Sequence, residues 1–299
     1  MRFLKLTRYY VWLAPTFLLL AVFAYWPPVL SLITSFFHDS GVSGVGSRYF
    51  IGWANFIKIL HDSVFYVSIK HMLILTFVPL ILSLAVNLLA AESLFSLRSH
   101  RWSAFYRFLI LVPMATPTVV TSLVWAFFFS PINGLLNRFL VDIGLGQYQH
   151  AWLANSHYAL ASLIFMGMPW LWGLGVLILL AGLQSVPDTI FEAAALDGAT
   201  GWKRRILVDF PLIKGQMKLL IILNIIAGMQ NFFQPLVMTQ GGPNDATMVP
   251  GLLMYQWAFA NGSGIPSYGK ASALGLLLFV GILTLTIVLN QFVRTEDEV

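Results

Sequence analysis

Hydrophobic positions in this chain fall in long unbroken runs, each about as long as a membrane crossing. A spanning helix needs about 20 predominantly apolar residues. Runs of that kind lie near Tyr10–Phe36, His71–Ala91, Phe105–Phe129, Tyr158–Leu183, Lys218–Met238 and Ala271–Val293. The pattern predicts an all-α, polytopic membrane protein with about six transmembrane helices. Residues 1–299 form a single transmembrane domain on this reading, with the N-terminal end and first span in 1–37 and a five-helix core in 66–293. Charge concentrates in one long stretch, Pro187 to Gly215, which holds Asp188, Glu192, Asp197, Lys203, Arg204, Arg205, Asp209 and Lys214. A charge at the bilayer centre costs about 2.5–3.5 kcal/mol on insertion scales. The stretch 187–215 is therefore expected in water, between the fourth and fifth spans.

Composition agrees with the pattern. The chain is 58% hydrophobic and only 10% charged, with mean hydropathy +0.79, too few charges to solvate a globular surface. The net charge of +5 is expected from basic loops beside a membrane and implies no nucleic acid partner. Arg2, Lys5, Arg8, Arg98, Arg101, Arg107, Lys203, Arg204, Arg205, Lys214, Lys218 and Arg294 fall on one side of the predicted spans. Arg48, Lys58, Lys70, Arg138 and Lys270 fall on the other. The positive-inside rule assigns the larger set, both termini and residues 187–215 to the cytoplasm. The basic N-terminus before an apolar run suggests a signal peptide, but the run is too long and no small-x-small site precedes Pro27-Pro28, so a retained first span is expected. With no cysteine, thiol catalysis, disulfides and Cys-based zinc sites are excluded.

Within 187–215 the order of residues is that of a small docking knob or of an amphipathic interfacial loop. Thr189 to Leu196 is helix-competent, with Pro187 and Asp188 suited to its first turn. Ala193, Ala194 and Ala195 keep it narrow, and Asp197-Gly198 signals a turn. Asp197 is placed to cap a second short helix starting near Ala199. The segment EAAALDGATGW, followed by Pro211, resembles the EAA loop of importer-type ABC permeases. The matching positions are Glu192, Ala193, Ala194, Asp197, Gly198, Ala199, Trp202 and Pro211. Arg205 departs from the phenylalanine usual in that family, and Gly215 from a proline. The resemblance implies a type I ABC importer permease fold, and it gives the loop the task of coupling to an ATPase.

The segments assigned to the outer face carry further family marks. Phe50, Gly52, Asn55 and Phe56 resemble the F-x-G-x-x-N-F stretch of sugar permeases, and Gly134, Asn137 and Leu140 resemble their G-x-x-N-x-x-L element. Both read as short amphipathic helices or as plain loops. Thr239, Gly241, Gly242, Pro243 and Thr247 resemble the T-x-G-G-P pattern of carbohydrate-importing permeases, and Gly-Gly-Pro is a strong turn on its own. With the N-terminal span, the similarity covers nearly the whole chain and points to the maltose-F-type or glycerol-phosphate-A-type partner of a permease pair.

No G-x-x-x-x-G-K-[ST] loop is present, so ATP, if it drives the protein, acts with Mg²⁺ on another chain. This chain is not expected to be an enzyme, nor to hold a metal or any cofactor: its histidines, His38, His61, His71, His100, His150 and His157, are scattered. Ionisable residues are almost absent from the spans, which disfavours a proton-coupled secondary carrier, and a channel is the other reading of a different class. The fourth span is interrupted by Met166-Gly167-Met168-Pro169-Trp170-Leu171-Trp172-Gly173, and the fifth carries Asn224, Gln230, Asn231, Phe232, Phe233 and Gln234. Amides hydrogen-bond hydroxyls in either direction, so Trp170, Trp172, Asn224, Gln230, Asn231, Phe232 and Gln234 are the candidate path residues. The same amides would serve equally for bonds between helices, and the tryptophans as interface anchors. By resemblance to maltose-type relatives, Asn224 and Asn231 fall on polar contact positions, while Gly167, Trp170 and Leu174 replace others.

The expected function is alternating-access import of a sugar, oligosaccharide or sugar derivative across a bacterial plasma (inner) membrane. Import of glycerol phosphate, a glycosylated polyol or another small solute by the same architecture is the alternative. The implied partners are a second homologous permease subunit, two ABC ATPase subunits, an external solute-binding protein and the lipid bilayer.

Overall fold

The structure, a computed structural model, describes residues 12–41, 48–97, 99–259 and 265–292. Arg2, Lys5, Arg8, Gly44, Gly46, Arg98, Val293 and Arg294 lie outside them. The described residues are mostly helical, with one short hairpin among them. In order it runs α1 (Trp12–Thr34), β1 (Phe37–His38), β2 (Tyr49–Phe50), α2 (Ala54–Leu60), α3 (Ser63–Phe95), α4 (His100–Leu111), α5 (Thr118–Phe128) and α6 (Leu135–Asp142). There follow α7 (Ala159–Phe165), α8 (Gly173–Ser185), α9 (Asp188–Leu196), α10 (Gly201–Arg204), α11 (Lys214–Gln230), α12 (Phe233–Met238), α13 (Pro250–Phe259) and α14 (Tyr268–Phe292).

Trp12–Thr34, Ser63–Phe95, Lys214–Met238 and Tyr268–Gln291 are each long and apolar enough to cross a membrane. Two bent pairs, Arg101–Ala115 with Thr118–Phe128 and Gly173–Ser185 with Asp188–Leu196, bring the number of candidates to six. These helices expose large apolar side chains such as Phe23, Ile81, Phe108 and Phe279. Such a surface suits lipid, where each helix satisfies its own backbone hydrogen bonds. The protein is a multi-pass membrane protein.

Several spans differ from their sequence-based outlines, each for a local reason. In α1 the turns at Leu20–Tyr25 widen into a π-helix just before Pro27-Pro28. Proline rings clash with the carbonyl four residues earlier, and here those carbonyls belong to the widened turns. The single helix expected over Phe105–Phe129 is two helices bent by 87°. Thr116 and Pro117 are extended there, as a residue before proline tends to be. The fourth span is broken between Phe165 and Gly173, where Trp170 has φ 55°. The helix expected over His71–Ala91 runs from Ser63 to Phe95, about 50 Å at 1.5 Å per residue. It therefore outreaches the bilayer core of about 30 Å and brings Glu92 with it.

The chain divides into two compact units. The first joins residues up to Phe65 with Leu253–Gly281. In it β1 pairs with β2 in antiparallel register, Phe37 opposite Phe50 and His38 opposite Tyr49, a hairpin the sequence pattern did not announce. Asn55 is buried and donates to the carbonyls of Ser35 (2.9 Å) and Phe37 (3.0 Å), tying α2 to the strand. Lys270 meets Asp62 at 3.3 Å and sits 3.6 Å over the Trp257 ring.

The second unit joins Tyr66–Leu252 with the chain from Ile282 onward. Its core sets Leu88, Ala91 and Leu94 of α3 against Val176, Leu179, Leu180 and Leu183 of α8, with Ile213 and Leu220 completing it. Spacings of three and four put each set on one helical face. Asn137 is buried, donates to the carbonyls of Pro131 and His150, and accepts from the Trp152 indole at 2.8 Å. Thr247, also buried, bonds Thr239 at 2.6 Å and donates to the Gly242 carbonyl at 2.9 Å, closing the loop around Gly241-Gly242-Pro243. Asn55, Asn137 and Thr247 thus hold irregular backbone together from inside, as buried polar groups must when they find partners.

Candidate functional site

The charged stretch folds as the pattern anticipates at its start and differently at its corner. Pro187 stands at the N-cap of α9 and Asp188 in its first turn, where its charge suits the helix dipole. Asp197 closes α9 at the C-cap and does not cap the next helix, which begins at Gly201 after Thr200. The cause is Gly198, whose φ of +74° gives a left-handed termination, with its N–H bonded to the Ala195 carbonyl at 3.1 Å. The Ala199 N–H then bonds the Ala194 carbonyl at 2.8 Å, folding the corner back on the helix. Ala194 and Ala199 are buried inside this turn, whereas Glu192, Ala193, Asp197, Gly198 and Trp202 are exposed. Leu196 is 90% exposed at the tip.

Behind the knob lies a cluster of charges. Glu92, at the end of α3, is 1% exposed and Asp209 is fully buried. Arg205 Nε lies 3.4 Å from Glu92 Oε2, and Arg204 Nη2 lies 3.9 Å from the same oxygen. Arg204 Nε also donates to Asp209 Oδ2 at 3.1 Å. One helical turn on, Phe95 packs on Phe191 of α9 with ring centroids 5.4 Å apart, and the Arg204 guanidinium covers Phe191 at 5.2 Å. Arg205 lies 4.7 Å over the Trp202 ring. Buried carboxylates persist when paired, and two guanidiniums here face two carboxylates.

The second feature is a cavity of about 500 Å³ in the larger unit, within the size range of small-molecule sites. It is lined by Leu75, Thr76, Pro79 and Leu80 of α3, by Thr118, and by Leu163, Ile164, Met166 and Gly167 at the break of the fourth span. Asn224, Ala227, Gly228, Gln230, Asn231, Phe233 and Gln234 complete the wall. Of the candidate path residues, Asn224, Gln230, Asn231 and Gln234 therefore meet at one place. Gln234 donates to the Leu163 carbonyl at 2.6 Å, and Asn224 donates to Leu220 of its own helix at 2.9 Å. Asn231 is exposed to the cavity and donates to Gln234 Oε1 at 3.3 Å. Pro79 has no N–H, which leaves the Leu75 carbonyl without its usual helical donor beside this space.

Trp170, Trp172 and Phe232 are outside the cavity lining. The Trp170 indole donates to the Ile164 carbonyl at 3.1 Å, bracing the broken span. Trp172 packs against the core of α3 and α8, and its backbone N–H reaches the buried Asn87 at 2.9 Å. Phe232 stacks on Phe233 with centroids 4.8 Å apart. No group of three or more His, Asp or Glu residues with metal-binding geometry occurs among the described residues.

The larger unit thus carries an exposed, charged knob after its broken fourth span and a cavity with amide side chains in its wall. Residues 83–295 match the family described as binding-protein-dependent transport system inner membrane component. The chain belongs to that family. It is thus a transport subunit and not an enzyme. It is 30% identical to the diacetylchitobiose uptake system permease protein NgcF of Streptomyces coelicolor, over 77% of this chain and 66% of that one. It is also 30% identical to the sn-glycerol-3-phosphate transport system permease protein UgpA of Salmonella typhimurium, over 96% of this chain and 94% of that one. Its fold is similar to that of a chain in a bacterial alginate ABC transporter, solved in complex with an alginate pentasaccharide-bound periplasmic protein. The TM-score is 0.80 at 20% identity, over 95% of this chain and 93% of that one.

Three residues of this binding-protein-dependent permease escape a reading of its sequence. Glu92 falls one residue past the expected end of its helix, and only its isolation in an apolar run marks it. Asp209 reads as one of several loop charges, yet it is fully buried. Leu196 reads as part of an amphipathic helix, yet it stands out from the knob.

Proposed function

We propose that this permease forms one half of the translocation path of an ATP-driven importer for an uncharged glycoside. The observation that carries the reading is the chemistry of the cavity wall. Side-chain amides and two threonines line it, with no Lys, Arg, Asp or Glu among the described residues there. Amides and hydroxyls both donate and accept, as a polyol requires, whereas an anion would draw Arg or Lys into the wall. The diacetylchitobiose permease among its relatives supports a sugar. The glycerol-phosphate permease among them favours a second reading, a small phosphorylated polyol.

In this account the knob and both termini are cytoplasmic, in a bacterial plasma membrane. A second homologous permease faces the cavity, and two ABC ATPase subunits carry ATP and Mg²⁺ and seat the knob. An external binding protein delivers the solute. Residues 192–194, 197–199 and 202 couple, and Asn224, Gln230, Asn231 and Gln234 contact the solute or its hydration shell.

The test is to purify the cognate binding protein, identify its bound ligand by mass, and measure uptake of that ligand. A neutral mono- or oligosaccharide is expected. Asn231→Ala should then raise the half-saturating concentration about three- to tenfold, the worth of one hydrogen bond, with subunit levels unchanged. A phosphorylated or otherwise anionic ligand would favour the second reading, and an unchanged half-saturating concentration would take Asn231 out of the path.

A further inference from the structure

We propose that Glu92, Arg204, Arg205 and Asp209 form a charged joint that delivers displacement of the knob to α3, and through α3 to the cavity wall. The proposal deepens the coupling role given to the knob above and rests on it. Its first ground is geometry. The final turns of α3 grip both halves of the knob, α9 through Phe95 on Phe191 and the end of α10 and the residue after it through Glu92 on Arg204 and Arg205. Residues three apart lie on one helical face, so Glu92 and Phe95 present a single surface to the knob.

The second ground is burial. Glu92 is 1% exposed with the Arg205 and Arg204 guanidiniums 3.4 and 3.9 Å away, and Asp209 is fully buried and accepts from Arg204 Nε at 3.1 Å, so Arg204 lies beside both carboxylates. A surface salt bridge slips readily in water, but a buried one holds its partners in register, because separating them leaves a charge unpaired in an apolar setting. Arg204 adds direction, since its rigid guanidinium donates through Nε to Asp209 while Nη2 lies toward Glu92. The contact is therefore stiff where a coupling element needs stiffness.

The third ground is where α3 leads. It is one continuous helix from Ser63 to Phe95, and it places Leu75, Thr76, Pro79 and Leu80 in the cavity wall. Those residues lie 12 to 17 positions before Glu92, about 18–25 Å along the axis. A shift of the knob held by the joint moves that wall, so Glu92, Arg204, Arg205 and Asp209 act as positioning residues for transport and touch no solute themselves.

The chain has no cysteine, so a single reporter, Leu75→Cys, can be labelled with a membrane-impermeant maleimide in the complex that copurifies with this chain. Labelling is followed with and without Mg-ATP and vanadate. In the otherwise unaltered chain, nucleotide is expected to change the labelling rate about fivefold or more, the usual span of a coupled transition. With Glu92→Gln added, the response should vanish while ATP hydrolysis continues, a separation that a loss of folding would not produce. A full nucleotide response in assembled Glu92→Gln would overturn the joint.

If Glu92→Gln does not accumulate, the pair Glu92→Leu with Arg205→Phe exchanges the charges for an apolar contact of similar volume. Assembly with a restored response supports the joint, and assembly without one overturns it. Failure of both variants to accumulate assigns the cluster to folding alone and also overturns it. No nucleotide response in the parent Leu75→Cys chain would overturn the ATP-driven reading itself, and the joint with it.

Discussion

Gly198→Leu is expected to abolish uptake while leaving insertion and subunit level unchanged. Gly198 turns the chain between α9 and α10 at φ +74°, and a Cβ built there meets no atom of this chain within 4 Å. Two costs follow from a side chain at this corner. A left-handed backbone disfavours an ordinary residue by about 1–2 kcal/mol, and the side chain also occupies space that a partner would fill. Asparagine separates the two, because it accepts the left-handed region while still presenting a side chain. If a groove receives the knob, Gly198→Asn should lose uptake as well, by about tenfold where overpacking costs over 1 kcal/mol. Uptake assays on membranes with matched subunit levels decide this. Wild-type uptake in Gly198→Asn with none in Gly198→Leu would reduce the position to a backbone requirement. Wild-type uptake in both would remove the knob from coupling.

Gly228→Val should be nearly as damaging, by a different route. A Cβ at Gly228 would lie 2.9 Å from Thr76 Cγ2 and 3.0 Å from its Oγ1, with the Thr76 Cα at 3.2 Å. Thr76 cannot swing aside, since it is buried and its hydroxyl donates to the Met72 carbonyl at 2.7 Å. α11 would have to leave α3, opening the cavity wall that both helices build. Small residues allow such close approach of helices in membranes, where packing replaces the hydrophobic effect. The cost is about 1–3 kcal/mol, to be read as a lower melting temperature of the detergent-purified complex. Gly228→Ala paired with Thr76→Ala should recover most of what Gly228→Ala alone loses, a non-additivity confined to residues in contact. Simple addition of the two losses would show that the helices do not meet there.

How far the sequence could be read depended on whether a residue's role was local. Pro187 and Asp188 at the head of α9, the turn at Gly198 and the proline break in the fourth span are set by the backbone chemistry of the residues themselves. The 87° bend at Thr116-Pro117 is equally local, but a hydropathy run of that length hides it. Roles that depend on a distant partner were not legible. Asn87 and Trp172 meet across 85 positions, and Gln234 and Leu163 across 71, so nothing near any of them announces the bond. Trp170 and Trp172 are candidate path residues by composition, and nothing near them announces that the Trp170 indole bonds the Ile164 carbonyl or that the Trp172 backbone N–H bonds Asn87. Arg205, which departs from the resembling family's phenylalanine, finds its physical reason in Glu92, 113 positions earlier. An acid alone in an apolar run and an arginine in an aromatic's place were two halves of one signal.

In an ATP-driven importer this bundle moves solute only when an ATPase moves its knob. The most direct measurement places the complex that copurifies with this chain in sealed vesicles, with the loaded binding protein on the face opposite the knob. ATP on the knob side should drive uptake, and a proton gradient without ATP should drive none. Uptake sustained by the gradient alone, or by the bundle stripped of its ATPase, would contradict the account.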